Sequence, residues 1–270
     1  MKPIHIISAI SIILFVTYCT PKMATQSAMP MNYEVKDNNG NVILLGKSTR
    51  ERLAQPPFDT WFTKNYNAYV VDSNTADQLK PLLKNKRFLI FMGTWCGDSR
   101  REVPRMYKIF DYCGVTASQV QLITMNNNDT AYKQSPGHEE KGLNIHRVPD
   151  LLVFDHDHEQ GRIIESPVVS LENDLLAIVS GQAYEPRYKA VPRLIQLLQQ
   201  SSLSSIQSRL PQIADTIKPF VSGPGELFSY AHVLLSAHET DKAVLVYELD
   251  GILYPSDTTI AAKLQRLKRQ

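Results

Sequence analysis

Hydrophobic residues follow three rhythms along this chain. Between residues 68 and 182, short apolar runs alternate with stripes at helical spacing. Residues 68–71 (AYVV) read as a strand, and Ala76, Leu79, Leu82 and Leu83 read as a helix face interrupted by Pro81. Residues 88–92 (FLIFM) form the continuous run of a strand covered on both faces. Val103, Met106, Tyr107 and Phe110 recur at i, i+3, i+4 and i+7, which predicts a helix beginning close to Cys96. Residues 120–124 predict another strand, a polar loop follows from Asn126 to about Lys141, and residues 151–154 and 162–165 predict a hairpin across the turn 155–161. Leu171, Leu175, Ile178 and Val179 give a further helix that stops at Gly181. This order predicts an α/β fold in which a central mixed sheet is flanked by helices.

The second rhythm is helical throughout and fills residues 190–270. Val191, Leu194, Ile195 and Leu198 make one stripe; Leu203, Ile206 and Leu210, then Ile213 and Ile217, make another that Pro211 divides into two helices. From Gly225 onward, Leu227, Tyr230, Ala231, Leu234, Ala243, Tyr247 and Pro255 resemble a single tetratricopeptide repeat, with Asp250 where that repeat prefers alanine. One repeat cannot bury its own face, so it is expected to dock on the helices of 190–218 or on the α/β region. A plain helical bundle is the alternative.

The third rhythm is the N-terminal apolar stretch 4–16 after Lys2, which has the length of a signal-peptide core. Its end, Val16-Thr17-Tyr18-Cys19, resembles the bacterial lipoprotein box, although Tyr18 stands where a small residue is usual. The resemblance implies acylation at Cys19 and attachment to a membrane; cleavage with secretion and an uncleaved anchor remain alternatives, and all three export the chain to the cell envelope or beyond. The expected organisation is residues 1–19 as signal, 20–41 as tether and N-terminal extension, 42–182 as the α/β unit with its aromatic-rich approach, and 190–270 as the helical region.

Composition removes several function classes. The 270 residues are 43% hydrophobic and 21% charged, which is ordinary for a globular chain. Twenty-nine Lys and Arg against 27 Asp and Glu leave a net charge of +2, without the basic excess that nucleic-acid binding rewards. Three cysteines, at 19, 96 and 113, are too few for a disulfide framework or a four-cysteine zinc site. His156 and His158 fall in the expected hairpin turn and His138 in the polar loop, neither with the spacing of a metal site, so no metal and no cofactor is expected.

The candidate chemistry lies where the apolar strand gives way to the helix, at Thr94-Trp95-Cys96-Gly97-Asp98-Ser99. A sulfur at a helix N-terminus faces the positive end of the dipole and backbone N–H groups without acceptors, and Arg100 and Arg101 add to that pull, while Asp98 opposes it. Negative charge on sulfur is what disulfide exchange needs.

Here the chain resembles the thioredoxin family. Trp95-Cys96-Gly97-Asp98-Ser99 follows an apolar strand, and Arg147-Val148-Pro149 precedes another strand some fifty residues later. The likeness covers about residues 66–182, and the stretch from Leu44 through Trp61, Phe62 and Tyr66 to Pro104 is similar to exported bacterial members. It implies a thioredoxin-like fold, a cis Val148–Pro149 peptide facing the Cys96 sulfur, and thiol-disulfide chemistry. Cys96, Ser99 and Pro149 take the catalytic positions, supported by Trp95, Gly97, Asp98, Arg100 and Val148. The departures are chemical: Ser99 stands where the family's resolving cysteine would be, Ile90 replaces its buried carboxylate, and Asp98 replaces its motif proline. Cys113, 17 positions beyond Cys96, would lie roughly 25 Å away along a continuous helix.

Two function classes follow. One is a monothiol oxidoreductase whose Cys96 forms a mixed disulfide or sulfenic acid and is released by an outside thiol, its partners being protein or low-molecular-weight thiols. The other is a non-catalytic binding module, with a protein partner at the helical C-terminus.

Overall fold

The computed structural model describes residues 30–269; Cys19 and the signal-like stretch lie outside them. Six strands form one mixed sheet: β1 (Tyr33–Lys36), β2 (Val42–Ser48), β3 (Lys86–Met92), β4 (Val120–Thr124), β5 (Asp150–Asp155) and β6 (His158–Ile164), in the order β1-β2-β4-β3-β5-β6. Only β3 and β4 run parallel, with Phe88 opposite Val120; the remaining neighbours are antiparallel, with Ile90 of β3 opposite Leu151 of β5. The apolar run at 88–92 is therefore a central strand with both faces covered, as its unbroken hydrophobicity requires.

Eleven helices are described: α1 (Arg50–Leu53), α2 (Asp59–Ala68), α3 (Ser73–Leu82), α4 (Gly97–Cys113), α5 (Leu171–Val179), α6 (Ala190–Gln200), α7 (Leu203–Gln207), α8 (Leu210–Ile217), α9 (Glu226–Ser236), α10 (Thr240–Leu253) and α11 (Thr258–Leu267). Helices α2 to α5 cover one face of the sheet. There Phe62, Leu79, Val103, Phe110 and Leu175 bury Leu44, Phe88, Ile90, Leu122 and Val153, with the Phe88 and Phe110 rings 4.5 Å apart. The irregular segment 125–149 covers the other face, where Met125, Ile145 and Val148 pack on Leu89, Phe91, Ile123 and Leu152. Helices α6 to α11 have their own core around Leu194, Leu210, Leu227, Ala231, Val246 and Tyr247.

Several local expectations are corrected. Residues 68–71 are not a strand: Ala68 ends α2, Tyr69 and Val71 pack against the core and Val70 is 86% exposed, and no strand lies beside them. The alternation is real and has no neighbour to pair with. Helix α2 fills the aromatic approach instead, with Phe58 just before it and Trp61, Phe62 and Tyr66 along it, and the extension before residue 42 supplies strand β1. The hairpin turn is only His156 and Asp157, since the exposed residues His158, Glu159 and Gln160 belong to an edge strand that carries no apolar signal. Pro81 sits within the last turn of α3 without ending it, and Pro211 lies in the first turn of α8, after the break that follows α7.

Candidate functional site

Cys96 is the residue immediately before α4, in extended backbone (φ −85°, ψ 128°), and its carbonyl accepts the Arg100 N–H at 3.0 Å. The N–H groups of the first turn therefore open around the sulfur. The thiol is half-buried, and Sγ donates to the Val148 carbonyl at 3.2 Å. The Val148–Pro149 peptide is cis, and the Pro149 carbonyl accepts the Glu165 N–H at 2.6 Å. Two residues 52 apart in the chain are thus brought into contact across the end of the sheet.

The neighbours of Cys96 divide by function. Trp95 anchors its indole N–H on the Met125 carbonyl at 2.8 Å, and its ring leans on Tyr132 at 6.3 Å. Gly93 makes room for that ring, because a Cβ there would lie 2.5 Å from it. A Cβ on Gly97 would meet nothing within 4 Å, so the first residue of α4 faces open space. Asp98 is paired with Arg101 at 2.6 Å on the outer surface. Arg100 turns back to the Thr94 carbonyl at 2.6 Å and lines a cleft of about 310 Å³ together with Asp37, Asn41, Trp95 and Asn127.

Ser99 does not face Cys96's open side. It is fully buried, and its hydroxyl accepts the Gly93 N–H at 3.2 Å, which fixes the strand-to-helix junction. Ile90, at the position where the resemblance places a carboxylate, is core. Cys113 lies at the far end of the unbroken α4, its Sγ donating to the Ala76 carbonyl at 3.5 Å, and burial pushes its thiol up to about 11.

Sequence reasoning missed the charged groups behind the sulfur. Lys133 is buried, and its ammonium donates to the His146 carbonyl at 2.9 Å and to Ser229 Oγ of α9 at 2.8 Å. Burial, reinforced by the nearby Arg147 charge, pushes this amine down to about 7, whereas negative charge on Cys96 and Glu165 favours its protonated form. Arg147 bonds Glu165 at 3.3 Å and the Gly225 carbonyl at 2.6 Å, and burial raises the Glu165 carboxyl. Lys133, Glu165 and Tyr188 have positive φ (53°, 62° and 65°), as do five other non-glycine residues among those described, a conformation that costs about 1 kcal/mol each. In the sequence Lys133 was a single charge in the polar loop, which ordinarily reads as solvated, while Glu165 closed the expected hairpin and Arg147 belonged to the motif before Pro149; no local signal marks them as a buried cluster.

The helical region docks directly on this cluster. Besides Ser229, Ser236 Oγ accepts the Tyr132 N–H at 3.1 Å and donates to the Asp129 carbonyl at 3.2 Å, and His232 stacks on Tyr132 at 4.4 Å. The hairpin of α9 and α10 packs on α6 and α8 as well, so it meets both expected docking partners. Among the described residues, no group of three His, Cys, Asp or Glu side chains comes together to hold a metal, and no helix is long and apolar enough to cross a membrane. His156 is exposed and bonds only its neighbour Asp155, at 2.9 Å.

No family model and no curated protein matches this chain. Two solved structures align with part of it. One is a protein of unknown function from Pseudomonas aeruginosa, with 16% identity over 46% of this chain and 85% of that one, at a TM-score of 0.35. The other is an HIV epitope-scaffold, with 17% identity over 46% of this chain and 86% of that one, at a TM-score of 0.33. At these scores neither likeness bears on function; what stands is an α/β chain with a six-stranded mixed sheet, helices packed on it and a helical C-terminal region.

Proposed function

We propose that this protein is a thioredoxin-like, monothiol thiol-disulfide oxidoreductase, exported and attached to a membrane through Cys19. The observation that carries the reading is the half-exposed Cys96 sulfur at the start of α4, held 3.2 Å from the carbonyl of Val148 beside cis Pro149. A thiolate there attacks a partner disulfide: the Cys96–partner S–S bond forms, the partner's own S–S bond breaks, and the electron pair leaves with the partner's second sulfur as thiolate. With Ser99 in place of a second thiol, an outside thiol completes the cycle by attacking the partner's sulfur and releasing Cys96 as thiolate. No cofactor takes part.

The buried, hydrogen-bonded Ser99 favours a second reading, in which the scaffold binds a protein partner without turnover. Incubation with hydroxyethyl disulfide followed by intact-mass measurement separates the two. The oxidoreductase reading expects one hydroxyethylthio adduct that 2-mercaptoethanol removes and that Cys96→Ser abolishes. No adduct on the native protein, with partner capture unchanged in Cys96→Ser, supports the binding module.

A further inference from the structure

Lys133 ties the helical region to the two segments that hold Cys96. Its Nζ lies 4.5 Å from the centre of the Tyr132 ring, which leans on Trp95, the residue before Cys96. The same Nζ bonds the carbonyl of His146, two residues before the carbonyl that receives the Cys96 thiol. Ser229 completes a triangle, accepting from Lys133 at 2.8 Å and donating to the His146 carbonyl at 2.8 Å. The Lys133 backbone is held at φ 53° by its N–H on the Asn126 carbonyl at 2.9 Å. A strained backbone and a buried ammonium are two costly features for a residue that only fills space.

We infer that Lys133 is a positioning residue for Cys96: its ammonium, held in place by Ser229 of the docked helical region, stabilises the negative charge that develops on the sulfur when a mixed disulfide is cleaved. The inference rests on the thiol reading above and names how that site is regulated. In the step concerned, an outside thiolate attacks the outer sulfur of Cys96–S–S–R, the new disulfide takes up R, and the bonding pair leaves with Cys96. A positive charge near the departing sulfur accelerates this step; the neutral amine does not. Because the Lys133 amine titrates at about 7, the acceleration belongs to the acid side of neutrality and is lost as pH rises past it. Anything that lifts α9 from the 126–149 segment removes the Ser229 acceptor and weakens the protonated amine.

The test uses the Cys96 mixed disulfide with 2-mercaptoethanol, prepared on the whole chain and cleaved by excess 2-mercaptoethanol at pH 5.5 to 9. Loss of adduct is followed by mass and expressed per mole of external thiolate. In the wild type this rate constant falls roughly tenfold across an inflection near pH 7. In Lys133→Met it is flat and slow at every pH. In Ser229→Ala the inflection moves to lower pH, because the ammonium has lost an acceptor. Identical profiles in all three proteins, with the adduct forming and leaving normally, overturn the role of Lys133 and spare the thiol reading. Failure of the wild type to form the adduct overturns both.

Discussion

Asp250 offers a sharp test of how burial and charge are balanced in the helical region. It is 0% exposed in α10, and neither carboxylate oxygen has a hydrogen-bond partner; the hydroxyl of Tyr247, one turn earlier, also has none. Burial, with Asp257 and Glu226 nearby, pushes the Asp250 carboxyl up to about 7 from 3.8. The folded protein therefore holds a proton that the unfolded chain releases near pH 4, and the stability this represents is present below pH 4 and lost as pH rises through about 7. About three units at 1.36 kcal/mol each set a ceiling of about 4 kcal/mol, which relaxation and water penetration reduce to roughly 2. Asp250→Ala removes that cost, adds about 0.5 kcal/mol of helix propensity and leaves a small void worth about 1 kcal/mol in the opposite direction. Urea unfolding followed by circular dichroism should find the variant about 1.5 kcal/mol more stable than wild type at pH 8 and within about 0.5 kcal/mol of it at pH 4.5. An equal difference at both pH values, or a loss of stability at pH 8, refutes the reasoning.

Other expectations are more local. Ser99→Ala strands the buried Gly93 N–H and should cost about 1–3 kcal/mol in urea unfolding, while the mixed disulfide at Cys96 still forms; loss of the adduct in a folded Ser99→Ala protein would give the hydroxyl a chemical role. Gly93→Ala drives a Cβ into the Trp95 ring and should change the tryptophan fluorescence and slow adduct formation at Cys96, with no such effect from Gly97→Ala, where space is open. Phe110→Ala opens the Phe88 contact in the main core and should lower stability by about 3–5 kcal/mol.

The elements legible in the sequence were those whose environment is uniform. β3 is apolar because both its faces are covered, and α4 shows a clean stripe because one face meets the sheet. Cys96 and Val148–Pro149 were legible as motif residues, and the structure brings them into contact. Edges misled: β1 is only four residues long and mostly exposed, the start of β6 is exposed and carries no apolar signal, and residues 68–71 read as a strand without one to join. Most of the charged half of the site was invisible because Lys133 meets Ser229 only where α9 docks on the 126–149 segment, and Glu165 meets Arg147 from the end of a different strand. Burial of a polar residue by a distant element leaves no mark on its own neighbourhood in sequence.

The central claim is that one thiol of the described chain is presented for chemistry and the other is sealed in the core. Iodoacetamide labelling of the native protein, mapped by peptide mass spectrometry, tests it directly: the account predicts prompt modification of Cys96 and protection of Cys113 until the chain is unfolded. Protection of Cys96 in the native protein, or a disulfide joining it to Cys113, would contradict the account.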